Sequence, residues 1–145
     1  MKKVQISAPY TVQLIDTEMP VAGKGQILVK TEISGVSAGT EMMLYRGTYP
    51  NLTAKRWPDW GSYPVYPGYE LVGTVVETGE GVEEFKVGDR VICLGEHAEY
   101  VAVPTSVAAK IPDDMTSEEA TLAVLATTAM HCIRRADIRY GDTVV

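Results

Sequence analysis

The run Pro67-Gly68-Tyr69-Glu70-Leu71-Val72-Gly73-Thr74-Val75-Val76 decides how this chain is to be read, together with its continuation Gly79-Glu80-Gly81-Val82-Glu83-Glu84-Phe85-Lys86-Val87-Gly88-Asp89-Arg90-Val91. Leu71, Thr74, Val75 and Val76 favour a pleated strand. Gly79, Gly81 and Gly88-Asp89 supply positive-φ turn chemistry, and Arg90-Val91 opens another strand. Glu70 is the exception. A carboxylate at the mouth of an apolar strand is costly to bury unless a cation or a hydrogen-bond donor meets it.

Written out as PGYELVGTVVETGEGVEEFKVGDRV, the same stretch resembles the signature of the medium-chain dehydrogenase/reductase family. That family contains the zinc-type alcohol dehydrogenases and their zinc-free quinone oxidoreductase relatives. Its pattern is P-G-H-E-x-x-G-x-V, a short spacer with glycine, then V-x-x-F-x-x-G-D-R-V. Tyr69 stands here in the histidine slot. The resemblance covers essentially the whole chain. It implies a mainly β fold, a GroES-like partly open barrel serving as the catalytic domain over residues 1–115. Residues 116–145 would be a linking helix and the first strand of a dinucleotide-binding Rossmann domain, with its glycine fingerprint beyond Val145. On that reading the chain is half or less of a whole family member.

Composition narrows the classes independently. At 145 residues the chain can bury one good core. Its 46% apolar and 22% charged residues are those of an ordinary globular protein. With 19 acidic against 13 basic residues the net charge is −6, so a phosphate backbone would be repelled and nucleic acid is not an expected partner. No apolar run approaches the roughly 20 residues of a membrane span. Met1-Lys2-Lys3-Val4 lacks the apolar stretch that follows the lysines of a signal peptide. Cys93 and Cys132 form no framework pattern, which suits a reducing cytoplasm. The Asn51-Leu52-Thr53 sequon is read as chance.

Along the chain, residues 4–8 and 12–15 are short β-like runs split by Pro9-Tyr10. Residues 26–34 alternate, with Ile27, Val29, Thr31 and Ile33 on one face, and predict a half-buried strand. A small-residue turn, Gly35-Val36-Ser37-Ala38-Gly39-Thr40-Glu41, leads to a helical piece over 41–46. Residues 47–67 form a long loop holding Trp57 and Trp60; loops of this length are usually functional or mobile. Residues 90–94 and 98–103 predict two further strands joined by Gly95-Glu96-His97. Thr116-Ser117-Glu118-Glu119 reads as a capping box opening one helix to about Arg135, with Ala120, Ala123, Val124, Thr127, Met130 and Ile133 at helical spacing. Tyr140-Gly141-Asp142 then turns into a final strand at Thr143.

The resemblance frames the metal question. A catalytic zinc needs three protein ligands and an open position. The family's first ligand is a cysteine in a G-V-C-x-T-D-like turn. Counted forward from Gly35-Val36 its slot is Ser37; counted back from Thr40-Glu41 it is Ala38. The second slot holds Tyr69, and the third, early in the long helix, falls near Val124. Only Glu70 survives, and one carboxylate does not hold zinc. The four-cysteine structural lobe has no room in residues 92–98. Zinc is therefore not expected. Cys93 and His97 read as core and surface, and the adjacent His131-Cys132 cannot share a helix face.

Three residues remain as candidates for chemistry: Thr40, Tyr69 and Glu70. The family's serine or threonine at the Thr40 position hands on the substrate's hydroxyl proton, and a hydroxyl both accepts and donates. Thr40 could equally N-cap the helix at Glu41. Tyr69 could donate its phenolic proton to a developing alkoxide, or could simply line the cleft. Glu70 lies near the nicotinamide end in the family; without metal it is expected to pair with Arg46 or Arg90. Trp57, Trp60, Tyr63 and Tyr66 are candidates for the substrate wall, or for plain packing of the loop.

Two functions follow. The first is part of a zinc-independent oxidoreductase using NAD or NADP, moving hydride to or from a small carbonyl, enone or alcohol. Its cofactor would sit on the Rossmann domain of the same chain, so the 145 residues alone should be inactive; a homo-oligomer is possible for the whole protein. The second is a GroES-like binding or assembly module without catalysis.

Overall fold

A computed structural model describes residues 1–50 and 61–144. The strands are β1 Lys2–Ala8, β2 Thr11–Asp16, β3 Gln26–Ser34, β4 Leu71–Thr78, β5 Arg90–Cys93, β6 Tyr100–Pro104 and β7 Ala108–Lys110. The helices are α1 Thr40–Arg46, α2 Ser117–Thr121 and α3 Ala123–Ala136. The central run of the sequence thus becomes β4, its turns, and β5.

β1 and β2 form a separate antiparallel hairpin, turned by Tyr10 at φ 61. The other strands form one antiparallel sheet in the order β6-β3-β4-β5-β7. Laid flat, five strands would hold the outer two about 19 Å apart. Yet β6 and β7 are joined by only a three-residue 3-10 turn, Thr105–Val107, which can reach at most about 14 Å. The sheet must curl until its edges approach. That is the partly open barrel the sequence implied.

Ile27, Val29, Leu71, Val75, Val91 and Cys93 fill the barrel, with Phe85 closing one side. Each of the fully buried aliphatic side chains contributes about 1.5–3 kcal/mol over its exposed state. A smaller cluster, Ile6, Leu44 and Val65, seats the hairpin and α1. Val72, Ile111 and Ala120 lock α2 onto the outside of the sheet.

Four details differ from the sequence reading. Leu28 is buried as well as Ile27 and Val29, so the alternation fails over the first part of β3 and resumes only from Lys30 onward. β7 has no apolar alternation and was not anticipated. The predicted single helix is two: the capping box of Thr116 and Glu119 is present, but α2 stops at Leu122, from which α3 restarts. After the turn at residues 139–142 no strand forms among the described residues. α3 buries none of its residues, and Met130 and Ile133 of its apolar stripe are exposed. Among the described residues no helix is long and apolar enough to cross a membrane.

Candidate functional site

Three segments converge beside the barrel: the turn between β3 and α1, the start of β4, and the loop between β5 and β6. Backbone bonds join them. The Gly35 amide donates to the Glu70 carbonyl at 2.8 Å, and the His97 amide to the Pro67 carbonyl at 2.9 Å. His97 in turn accepts from the Val4 amide of β1 at 2.8 Å. Gly68 makes the closest approach possible. At φ +115, a Cβ on it would lie 2.5 Å from the His97 amide nitrogen, so only glycine fits.

The side chains make a second set of links. Glu41, in the first turn of α1, is 6% exposed. Its Oε2 accepts from the Ser37 amide at 2.6 Å, and its Oε1 lies 2.7 Å from His97 Nε2. His97 Nδ1 lies 2.8 Å from Ser34 Oγ. Carboxylate, imidazole and hydroxyl thus form a row drawn from three elements, and both ring nitrogens of His97 are engaged. Ser34, Glu41 and His97 also floor an apolar groove of about 710 Å³, walled by Val4, Tyr10, Met42 and Tyr45 among others.

Glu70 is 2% exposed, and its Oε1 has no hydrogen-bond partner among the described residues. Burial pushes its carboxyl above the usual carboxylate range; the negative charge of Glu41 pushes the same way, and His97 pulls it back. The expected pairing with an arginine is wrong. Arg90 spends its Nη2 on the Met115 carbonyl and the Ser117 hydroxyl, each at 3.1 Å, and Arg46 lies exposed at the far end of α1.

The reading of Thr40 as a helix cap is also corrected. Gly39 is the N-cap and no side chain caps the helix; Thr40 is the first helical residue, half-buried. Tyr69, half-buried, directly precedes Glu70. Tyr66 belongs with β1: its hydroxyl accepts from Gln5 Nε2 at 3.2 Å and Lys3 Nζ stands 3.9 Å from its ring centre. Tyr63 donates to the Leu44 carbonyl at 2.5 Å. Trp57 and Trp60 lie outside the described residues.

At the metal slots, Ser37 is buried and bonded to Glu41, Ala38 is exposed, and Val124 lies on α3 beside Ala123 and Thr127 along a separate groove. Among the described residues no three His, Cys, Asp or Glu stand where they could hold a metal ion. Cys93 is a core residue, its thiol pushed up to about 12 by burial.

The sequence reading missed Ser34 and Glu41, and it placed His97 on the surface. The available signal was a lone acidic residue closing a turn of small residues, a position where a carboxylate needs a donor. Its partner lies 56 residues away, a separation no spacing rule bridges.

Residues 23–113 match the model of the alcohol dehydrogenase GroES-like domain. The chain belongs to this family. It is the fold that begins the medium-chain dehydrogenase/reductases, as the signature around Gly68 and Glu70 implied. Among curated relatives, an L-threonine 3-dehydrogenase of Shewanella baltica is 26% identical, the match covering 97% of this chain and 48% of the relative. A trans-enoyl reductase of Gibberella fujikuroi is 33% identical over 91% of this chain and 38% of its own length. Among solved structures, a mycobacterial protein complexed with NADPH is 30% identical with a TM-score of 0.77, covering 98% of this chain and 44% of that one. This GroES-like chain spans about half the length of the curated relatives it matches.

Proposed function

We propose that the chain is the substrate-side half of a nicotinamide-dependent oxidoreductase that works without zinc. The observation that carries this is Glu70: a buried carboxyl whose Oε1 has no hydrogen-bond partner among the described residues, bonded through its own backbone to the turn that presents Thr40. Relatives named as a dehydrogenase and an enoyl reductase, and a structural neighbour holding NADPH, support the reaction class. NAD or NADP, when bound by the whole protein, supplies or accepts the hydride.

The chain's own residues handle the proton. A hydroxyl at Thr40 can pass a proton between substrate oxygen and its neighbours. The Tyr69 phenol can donate to oxygen as negative charge develops there, doing by hydrogen bonding what a metal does by polarisation. Glu70, held in low dielectric, favours its neutral form and can donate or receive that proton. The substrate class is a small carbonyl, enone or alcohol, with Trp57, Trp60 and Tyr66 as candidate walls. Zinc has no donor set at the matching slots, since Ser37 or Ala38, Tyr69 and Val124 replace its ligands.

The test is nicotinamide oxidation by the whole protein, followed by absorbance against a panel of aldehydes, quinones and enones, with NADH and NADPH in turn. Turnover of one class supports the reading. Uniform inactivity with both cofactors favours a GroES-like binding module instead.

A further inference from the structure

We propose that Ser34, His97 and Glu41 form a nucleophilic site that cleaves esters of apolar carboxylic acids, with Ser34 as the nucleophile. This activity goes beyond the function proposed above and does not rest on it, since it needs neither nicotinamide nor any residue outside this chain. The direction of the row follows from its members. Glu41 Oε2 accepts from the Ser37 amide at 2.6 Å, and a carboxylate only accepts. The 2.7 Å contact at Oε1 therefore requires a proton on His97 Nε2. In the neutral imidazole Nδ1 then carries a lone pair, and the Ser34 hydroxyl 2.8 Å away donates to it. A hydroxyl donating to an imidazole, itself oriented by a buried carboxylate, is how serine is activated as a nucleophile. The ring is reversed from the usual triad, in which Nε2 faces the serine, but each role is filled.

The surroundings suit an ester. The backbone of His97 is tied to Val4 and to Pro67, so the imidazole is held in place. Ser34 is half-buried at the end of β3 and lines the groove of about 710 Å³, whose walls include Val4, Ile6, Tyr10, Met42 and Tyr45. Apolar walls with polar groups gathered at one spot select an apolar molecule with one polar reacting centre. An acyl chain lying along the walls would set its carbonyl at Ser34. Of the three amides that follow Ser34, that of Gly35 goes to the Glu70 carbonyl and that of Ser37 to Glu41. Val36 lines the groove, and its amide has no partner among the described residues. It is the donor left for the carbonyl oxygen as negative charge develops there.

The chemistry balances without an oxidant or a reductant. Ser34 Oγ bonds to the ester carbon while its proton passes to His97 Nδ1. The bond from that carbon to the alcohol oxygen breaks, and the alcohol leaves with the proton. Water then gives a proton to Nδ1 and its oxygen to the acyl carbon. The bond to Ser34 Oγ breaks, the serine recovers its proton, and the acid departs. Glu41 touches no substrate; it is a positioning residue that holds the ring.

Two probes test this on the 145-residue chain: p-nitrophenyl octanoate beside p-nitrophenyl acetate, and an alkyl phosphonyl fluoride followed by peptide mass spectrometry. The expected result is faster hydrolysis of the octanoate and one phosphonyl adduct, on Ser34. Ser34→Ala should remove the adduct and lower hydrolysis by about two orders of magnitude or more, the usual worth of base-assisted attack. Glu41→Gln, checked as folded by circular dichroism, should lower kcat with KM nearly kept, whereas a merely structural role would move KM and the melting point instead. If the Glu41 variant does not fold, the parent and Ser34→Ala decide, because losing one hydroxyl leaves the barrel core untouched. A folded parent with no adduct on Ser34, or hydrolysis equally fast in Ser34→Ala, overturns the proposal.

Discussion

Gly35 and Glu70 touch twice. The Gly35 amide donates to the Glu70 carbonyl at 2.8 Å, and a Cβ on Gly35 would stand 2.8 Å from Glu70 Oε2 and equally close to the Thr121 methyl. The absence of a side chain at 35 is what lets the carboxyl lie against the turn. Gly35→Ala is expected to force that carboxyl or α2 outward, costing about 1–3 kcal/mol as overpacked sites do. Urea unfolding of the 145-residue chain measures it. A variant as stable as the parent would show that the contact is loose.

Replacing Glu70 itself should have the opposite effect on stability. Its folded carboxyl binds a proton more readily than the unfolded one, because burial and Glu41 raise it. The folded state then holds more protons than the unfolded state just above the ordinary glutamate range, and stability falls as pH rises through that window. Glu70→Gln removes this dependence. Its melting point relative to the parent should match near pH 4 and gain steadily toward pH 7; a gap that narrows with rising pH would reverse the sign argued here.

Thr40 separates chemistry from architecture, since Gly39 and not Thr40 caps α1. Thr40→Val in the whole protein is expected to lower turnover by about two to four orders of magnitude while the melting point stays within a degree or so of the parent. A full rate would transfer the proton role to Tyr69, with Tyr69→Phe as the variant to make next.

The two thiols should differ sharply in reactivity. Cys93 is buried with its thiol raised to about 12, and Cys132 is exposed on α3. Alkylating the native 145-residue chain at pH 8 should modify Cys132 rapidly and Cys93 only on unfolding. Rapid labelling at Cys93 would mean that the barrel opens beneath β5.

Local chemistry made much of this readable in advance. The alternation of Gln26–Ser34, the glycine turns before Arg90 and the Thr116 capping box each follow from a few neighbouring residues, and all three formed. What local chemistry could not supply was who meets Glu70 and Glu41. Arg90 looked available, but its direction depends on where α2 lands, and Ser117 and Met115 claim it. His97 looked like a surface residue, since its partners Ser34 and Glu41 lie 63 and 56 residues away along the chain. The break at Leu122 likewise comes from α2 docking on β3 and β4 rather than from any glycine or proline there.

The central claim is that hydroxyls and a carboxyl, not zinc, manage the proton at this site. Elemental analysis of the whole protein, purified without added metal and active in nicotinamide oxidation, tests it most directly. The account predicts zinc far below one atom per chain and activity unchanged by a strong chelator. Zinc near one per chain, with activity lost on chelation and regained on adding the metal back, would contradict it.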